Sequence, residues 1–361
     1  MRTRNELFLT LTIISVVCTL SGCNEDGEIV DTGIGSKIDR IIDRNLEESA
    51  DPGLVILIYR QGQTELRKAY GLADVQAGKR FQPGTPCYTG SLAKQFTAMS
   101  IMILVERELI DPQQPIKDYF PEYPDLWNDV TIHHLLTHQS GISDYLNDHR
   151  YAFDGMTNID AISYVIANGY MKFEPGEMFS YSNTGYLLLA ELVGKVSGKP
   201  LSQFCEEEIF SPLGMENTFF ISDKYQEPED RAIGHTLDGE VLDYTLRTNG
   251  DGGMISTVDD MLLWNKSLNS DRIVGKETIG IMMYPYADMK NDAYYGYGWY
   301  IDNFNGHELI SHDGGIAGIF AYAGRIEEKD FYICLFGNSP NYPLFMDIIR
   351  TALEFYFPDN G

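Results

Sequence analysis

Strand-forming runs sit at the two ends of this chain with a helix-rich middle between them, and that distribution restricts the available folds more than any other feature. Near the start, Ser36 opens an amphipathic helix whose Ile38, Ile41, Ile42 and Leu46 share one face. Pro52-Gly53 ends it. Residues 54–60, Leu-Val-Ile-Leu-Ile-Tyr-Arg, read as a buried strand, Gln61-Gly62-Gln63 as a turn and residues 64–70 as the returning strand. Toward the other end, short runs at 297–301, 308–311, 320–325 and 331–336 have hairpin spacing, with turns at 302–306 and 327–330, and a helix over 343–356 closes the chain. A helix followed by an antiparallel hairpin does not begin a doubly wound parallel sheet. The pattern predicts an α+β fold, an antiparallel sheet flanked by helices and built from both ends of the sequence, plus a mostly helical lobe. The sheet-bearing lobe takes residues 36–85 and 250–361, and the helical lobe takes 86–249.

Helices in the middle are predicted at 91–109, 131–138, 158–168, 183–196 and 201–210, connected in part by Pro112, Pro115, Pro121 and Pro124. The chain's 361 residues, 43% of them hydrophobic, suffice for a substantial core. A formal net charge of −26 excludes nucleic acid as a partner, because a phosphate backbone would be repelled. Cys87, Cys205 and Cys334 are too few and too widely spaced for a disulfide framework and are expected as buried thiols. The seven histidines form no His-Glu-x-x-His pattern, so neither a metal nor a cofactor is expected.

Arg2 and Arg4 precede an apolar run over 7–20, too short to span a bilayer comfortably. Leu20-Ser21-Gly22-Cys23 follows and resembles the lipobox of bacterial lipoproteins. The resemblance implies a signal peptide over 1–22, lipidation of Cys23 and an acidic tether over 23–35, leaving 36–361 as the folded domain. Membrane contact would run through the lipid alone, in the cell envelope. Asn24 after the cysteine is compatible with an outer-membrane destination, the domain then facing the periplasm or the cell surface.

The chemistry starts at Gly90-Ser91-Leu92-Ala93-Lys94. Three residues are nearly one helical turn, so the Ser91 hydroxyl and the Lys94 amine share a face. Serine is a poor nucleophile until a base takes its proton, and a lysine of lowered pKa can do that. Ser91 is the only serine in the chain with a lysine three residues later. Two further motifs accompany it: Tyr181-Ser182-Asn183 at the head of a helix, and His312-Asp313-Gly314-Gly315 at the end of a strand.

In this order and spacing the three motifs resemble the serine penicillin-recognising enzymes: class C β-lactamases, D,D-carboxypeptidases, D-aminopeptidases and family VIII esterases. His134-Leu135-Leu136-Thr137-His138-Gln139-Ser140-Gly141, Pro212-Leu213-Gly214-Met215 and Asp251-Gly252-Gly253-Met254 extend the likeness over nearly all of 36–356. The resemblance implies a β-lactamase/transpeptidase-like fold and an acyl-enzyme on Ser91, with Lys94 and Tyr181 as a coupled proton-handling pair. Either could be the base; Tyr181 is favoured as the later proton donor to the leaving group. Asn183 is expected to donate to a substrate carbonyl or to hold Lys94. The backbone N–H of Ser91, at a helix start, is one natural oxyanion donor. The resemblance supplies the N–H of Gly315 as the second, beside His312 and Gly314 in the substrate-binding strand.

The departure lies at residue 312. Class C β-lactamases carry Lys-Thr-Gly where this chain has His312-Asp313-Gly314. A neutral histidine and an added carboxylate both weaken a site for a substrate carboxylate. Strong β-lactamase activity is therefore not expected, and the weight moves to a small ester, an amide or a D-amino-acid peptide. His133, His134 and His138 are expected to be structural.

Overall fold

The computed structural model describes residues 33–147, 155–222, 224, 226–243 and 247–359. The signal peptide, Cys23 and the tether up to residue 32 lie outside the described residues. The first helix, Ile34–Asn45, starts two residues earlier than the sequence suggests, because Ile34 is buried with Ile38 and Ile42 at four-residue spacing.

Among the described residues the main sheet has eight strands. From edge to edge they are Gln63–Tyr70, Leu54–Arg60, Phe331–Gly337, Ile319–Ile326, His307–Ile316, Tyr300–Phe304, Ala293–Tyr295 and Ala287–Lys290. Each neighbouring pair is antiparallel. The strand Leu54–Arg60, next to one edge, is apolar on both faces because both are covered. Leu54, Ile56 and Ile58 pack under the first helix and the closing helix, Tyr342–Tyr356. Val55, Leu57 and Tyr59 face a core that continues through Phe96, Leu187 and Trp264 of the helical layer.

The site depends on two of these elements. Gly90–Leu92 forms a 3₁₀ turn that runs into the helix Ala93–Glu106, so Ser91 occupies the tight entry turn rather than the α-helix proper. That helix stops before the expected residue 109, since Glu108 has a φ of 58° and Leu109 turns outward. The strand His307–Ile316 runs past the predicted residue 311 and carries the whole His312-Asp313-Gly314-Gly315 motif, paired residue for residue with Ile319–Ile326. Polar and glycine residues are weak strand formers, and here pairing overrides propensity. The strand expected at 297–301 begins instead at Tyr300, because Gly298 takes a φ of 84° where its Cα presses on the nucleophile helix; a Cβ there would lie 2.9 Å from the Lys94 carbonyl oxygen.

Cys87, Cys205 and Cys334 are buried free thiols.

Candidate active site

Lys94 is fully buried, and its ammonium donates to three acceptors: Ser91 Oγ at 3.0 Å, Asn183 Oδ1 at 2.8 Å and the Asp251 carbonyl at 2.7 Å. All three of its protons are thereby used. Burial lowers its pKa to about 8, while the charges of Asp251, Asp144 and Asp313 hold it from falling further. An amine in this condition is partly neutral near pH 7 and lies against the one hydroxyl it must activate.

Tyr181 joins this pair, from the segment just before the helix Asn183–Ser197. Lys94 Nζ stands 4.9 Å from the centre of the Tyr181 ring, a cation–π contact with the ring face. Burial raises the phenol pKa well above 10, and hydrogen bonding with Ser91 acts in the opposite direction. The phenol is thus protonated in the resting site, which suits a donor better than a base.

Asn183 holds Lys94, one of its two expected roles. Its Oδ1 faces the ammonium, while its backbone N–H and its Nδ2 both donate to Asp144 Oδ2, at 2.7 and 3.0 Å. Asp144 fixes which way the amide points. Sequence reasoning missed Asp144, which has no spacing relationship to the three motifs and acts only through the fold. Asp251, read from sequence only as part of a supporting motif, has a part in the site as well: its carbonyl holds Lys94, and its buried carboxylate accepts from the Tyr145 hydroxyl at 2.7 Å.

The two backbone donors expected from the likeness meet across a narrow gap. Gly90-Ser91 and Gly314-Gly315 lie so close that a Cβ on Gly314 would stand 2.7 Å from the Ser91 nitrogen. Gly90, at a φ of 53°, makes the reciprocal approach. Ser91, Tyr181, Asn183, Asp251 and Gly315 line a cleft of about 180 Å³ at this junction.

His312, expected in the substrate-binding strand, is fully buried, and its side chain is held by its neighbours. Its Nε2 bonds to the Tyr295 hydroxyl at 2.9 Å, its Nδ1 to the Asp313 carbonyl at 2.6 Å, and its ring stacks on Tyr300. Burial, and next the Lys94 charge, push its pKa down to about 3. The imidazole is neutral. Tyr295 and Tyr300, which enclose it, were not singled out by any sequence signal.

Fold and site together define a serine hydrolase of the β-lactamase/transpeptidase type. The Beta-lactamase family model matches residues 38–353, and the chain belongs to that family. Among its relatives, Penicillin-binding protein 4* of Bacillus subtilis strain 168 is 28% identical over 84% of this chain and 72% of its own length. An octameric penicillin-binding protein homologue from Pyrococcus abyssi superposes with a TM-score of 0.80 at 30% identity, over 91% of this chain and 77% of that one. A D-amino acid amidase from Ochrobactrum anthropi shares the fold, with a TM-score of 0.77 at 24% identity, over 89% of this chain and 97% of that one.

Proposed function

We propose that this chain is a lipid-anchored envelope hydrolase that forms an acyl-enzyme on Ser91 and cleaves small esters or amides that carry no essential carboxylate. The observation that carries the reading is the buried Lys94 amine, 3.0 Å from Ser91 Oγ and brought to about pKa 8. Neutral Lys94 takes the Ser91 proton as Oγ attacks the carbonyl carbon. The oxyanion forms between the N–H groups of Ser91 and Gly315. Tyr181 gives its proton to the departing group and recovers one from the Lys94 ammonium. Water then attacks the acyl-enzyme, its proton passing to the same pair, and Ser91 is restored.

Substrate choice follows from charge. Among the described residues lining the cleft, Asp251 is the only acidic or basic residue. Penicillins and D-Ala-D-Ala peptides both present a carboxylate, which such a cleft does not attract. The same feature favours a D-aminopeptidase or amidase over a D,D-carboxypeptidase as the second reading.

The test compares p-nitrophenyl esters, D-amino-acid amides, D-Ala-D-Ala peptides and nitrocefin, with intact-mass detection of the Ser91 adduct. Ester or amide turnover with a transient adduct is expected. Nitrocefin turnover at the rate of a dedicated β-lactamase would overturn the reading. A permanent penicillin adduct without turnover of any substrate would replace it with a receptor. Anchoring is checked separately: Cys23→Ala should abolish palmitate incorporation and release the protein from membranes.

A further inference from the structure

His138 holds Tyr181 from three directions. Its carbonyl oxygen accepts from the backbone N–H of Ser180 at 2.9 Å, and its Nδ1 accepts from the backbone N–H of Ser182 at 3.1 Å. The residues on either side of Tyr181 are thus both tied to one histidine. Its ring also lies against the Tyr181 ring, 4.2 Å between centroids at 35°. We propose that His138 is the positioning residue for Tyr181, setting the place and direction of the phenol that serves the leaving group.

Three features separate this arrangement from ordinary core packing. His138 adopts a φ of 58°, a conformation that most residues avoid and that asparagine and histidine tolerate better. The turn comes directly after the helix Ile132–Leu136, and it aims the carbonyl and the ring of one residue at the same short segment. Second, the acceptor role of Nδ1 fixes the tautomer: the ring proton must sit on Nε2. Third, Nε2 is buried without a hydrogen-bond partner among the described residues, with the rings of Tyr295 and Tyr186 4.6 and 5.1 Å from the imidazole centre. An unpartnered buried N–H has a cost that leucine or phenylalanine would avoid if filling space were the only task. Protonation would put a proton on Nδ1, opposed to the Ser182 N–H. Burial, with the Lys94 charge next, drives the imidazole pKa well below 6.5 and keeps the acceptor free.

The inference rests on the reading of Tyr181 as proton donor, and the test separates the two. Donor loss harms a poor leaving group more than a good one, so kcat and KM are measured on an alkyl ester and on a p-nitrophenyl ester. The full chain is used as wild type, Tyr181→Phe, His138→Ala, His138→Asn and the double variant His138→Ala/Tyr181→Phe. His138→Ala should lower kcat on the alkyl ester by roughly tenfold to a hundredfold, with a much smaller loss on the p-nitrophenyl ester and little change in KM. His138→Asn keeps a short acceptor and tolerates positive φ, and should retain kcat within about fivefold. In the Tyr181→Phe background, His138→Ala should cost less than about threefold more. Equal losses on both esters, a fully additive double variant, or His138→Asn no better than His138→Ala would overturn the positioning role alone. Undiminished alkyl-ester turnover by Tyr181→Phe would overturn the donor reading and this inference with it. Nitrogen-15 NMR of the wild-type histidines supplies a check that needs no variant: His138 must carry its proton on Nε2, and a proton on Nδ1 refutes the assignment.

Discussion

Gly90 and Gly314 stand back to back across the cleft: a Cβ on Gly90 would lie 2.7 Å from the Gly315 nitrogen, and a Cβ on Gly314 would lie 2.7 Å from the Ser91 nitrogen. Each glycine therefore clears the backbone N–H that the opposite segment offers to the oxyanion. Gly314→Ala is expected to separate the two segments and lower kcat/KM on a p-nitrophenyl ester by about a hundredfold or more, the scale of losing one oxyanion donor. The sheet pairing of Gly314 with Ala321 should keep the fold intact. Activity within a few-fold of wild type, in a variant with unchanged circular dichroism, would remove Gly315 from the oxyanion site.

Replacing His312 with the lysine found in class C β-lactamases should not create a β-lactamase. Residue 312 is buried under Tyr300 and bonded to Tyr295, so His312→Lys would place an ammonium below the cleft. That ammonium would also approach Lys94, whose charge already acts on His312. Burying an unpaired charge costs several kcal/mol. His312→Lys is expected to melt several degrees lower and to gain no nitrocefin turnover. A variant with an unchanged Tm that gains penicillin hydrolysis would mean that residue 312 reaches the substrate.

What the sequence reveals, and what it hides, divides by the range of the interaction. Ser91 and Lys94 are one turn apart, so their meeting follows from helix geometry alone. The hairpin at 54–70 and the helix Asn158–Asn168 are equally local and appear where their patterns place them. Thr131 caps the helix Ile132–Leu136, its hydroxyl accepting from the N–H of His134. The edge hairpin formed by Ala287–Lys290 and Ala293–Tyr295 was not anticipated, since its turn takes Lys290, Asn291 and Asp292 to positive φ without a glycine. Asp144 escaped because a carboxylate that orients another residue's amide leaves no mark on spacing, and the hold of the Asp251 carbonyl on Lys94 arises only through the fold. The burial of His312 was not legible for a related reason: alternation along a strand tells which residues share a face, not which face opens to the cleft.

Asn338 joins segments far apart in the chain beneath the sheet-bearing lobe. It is fully buried, its Oδ1 accepts from the Gly53 N–H at 2.7 Å, and its Nδ2 faces the carbonyls of Leu72, Ala73 and Ile233 at 2.9–3.0 Å. Asn338→Leu keeps the volume and removes every one of these bonds. Leaving buried backbone groups under-satisfied should destabilise by at least about 2 kcal/mol, read as a lower urea midpoint at an unchanged slope. A midpoint equal to that of wild type would show that neighbouring backbone bonds satisfy these groups without Asn338.

The pH dependence of acylation tests the assignment of the base. Only neutral Lys94 can accept the Ser91 proton, so kcat/KM should rise about tenfold per pH unit below the amine's pKa and level off above about pH 8. A phenolate base would place the limb far higher, because burial raises the Tyr181 phenol well above 10. Titratable groups facing the amine act in both directions. Asp251, Asp144 and Asp313 favour its charged form, whereas its burial between Tyr181, Tyr186 and the strand of His312 favours the neutral one. Of the three carboxylates, Asp144 and Asp251 also hold parts of the site in place, and Asp313 makes no comparable bond to Asn183 or Tyr145. Asp313→Asn thus removes charge with the least disturbance. Losing a negative neighbour destabilises the ammonium, so the limb should move to lower pH, by a fraction of a unit to about one unit. At pH 6.5, well below the limb, the variant should be faster than wild type by the same factor, and at pH 9 the two should agree. A shift to higher pH, or a limb near 10 in both proteins, would take the base role away from Lys94.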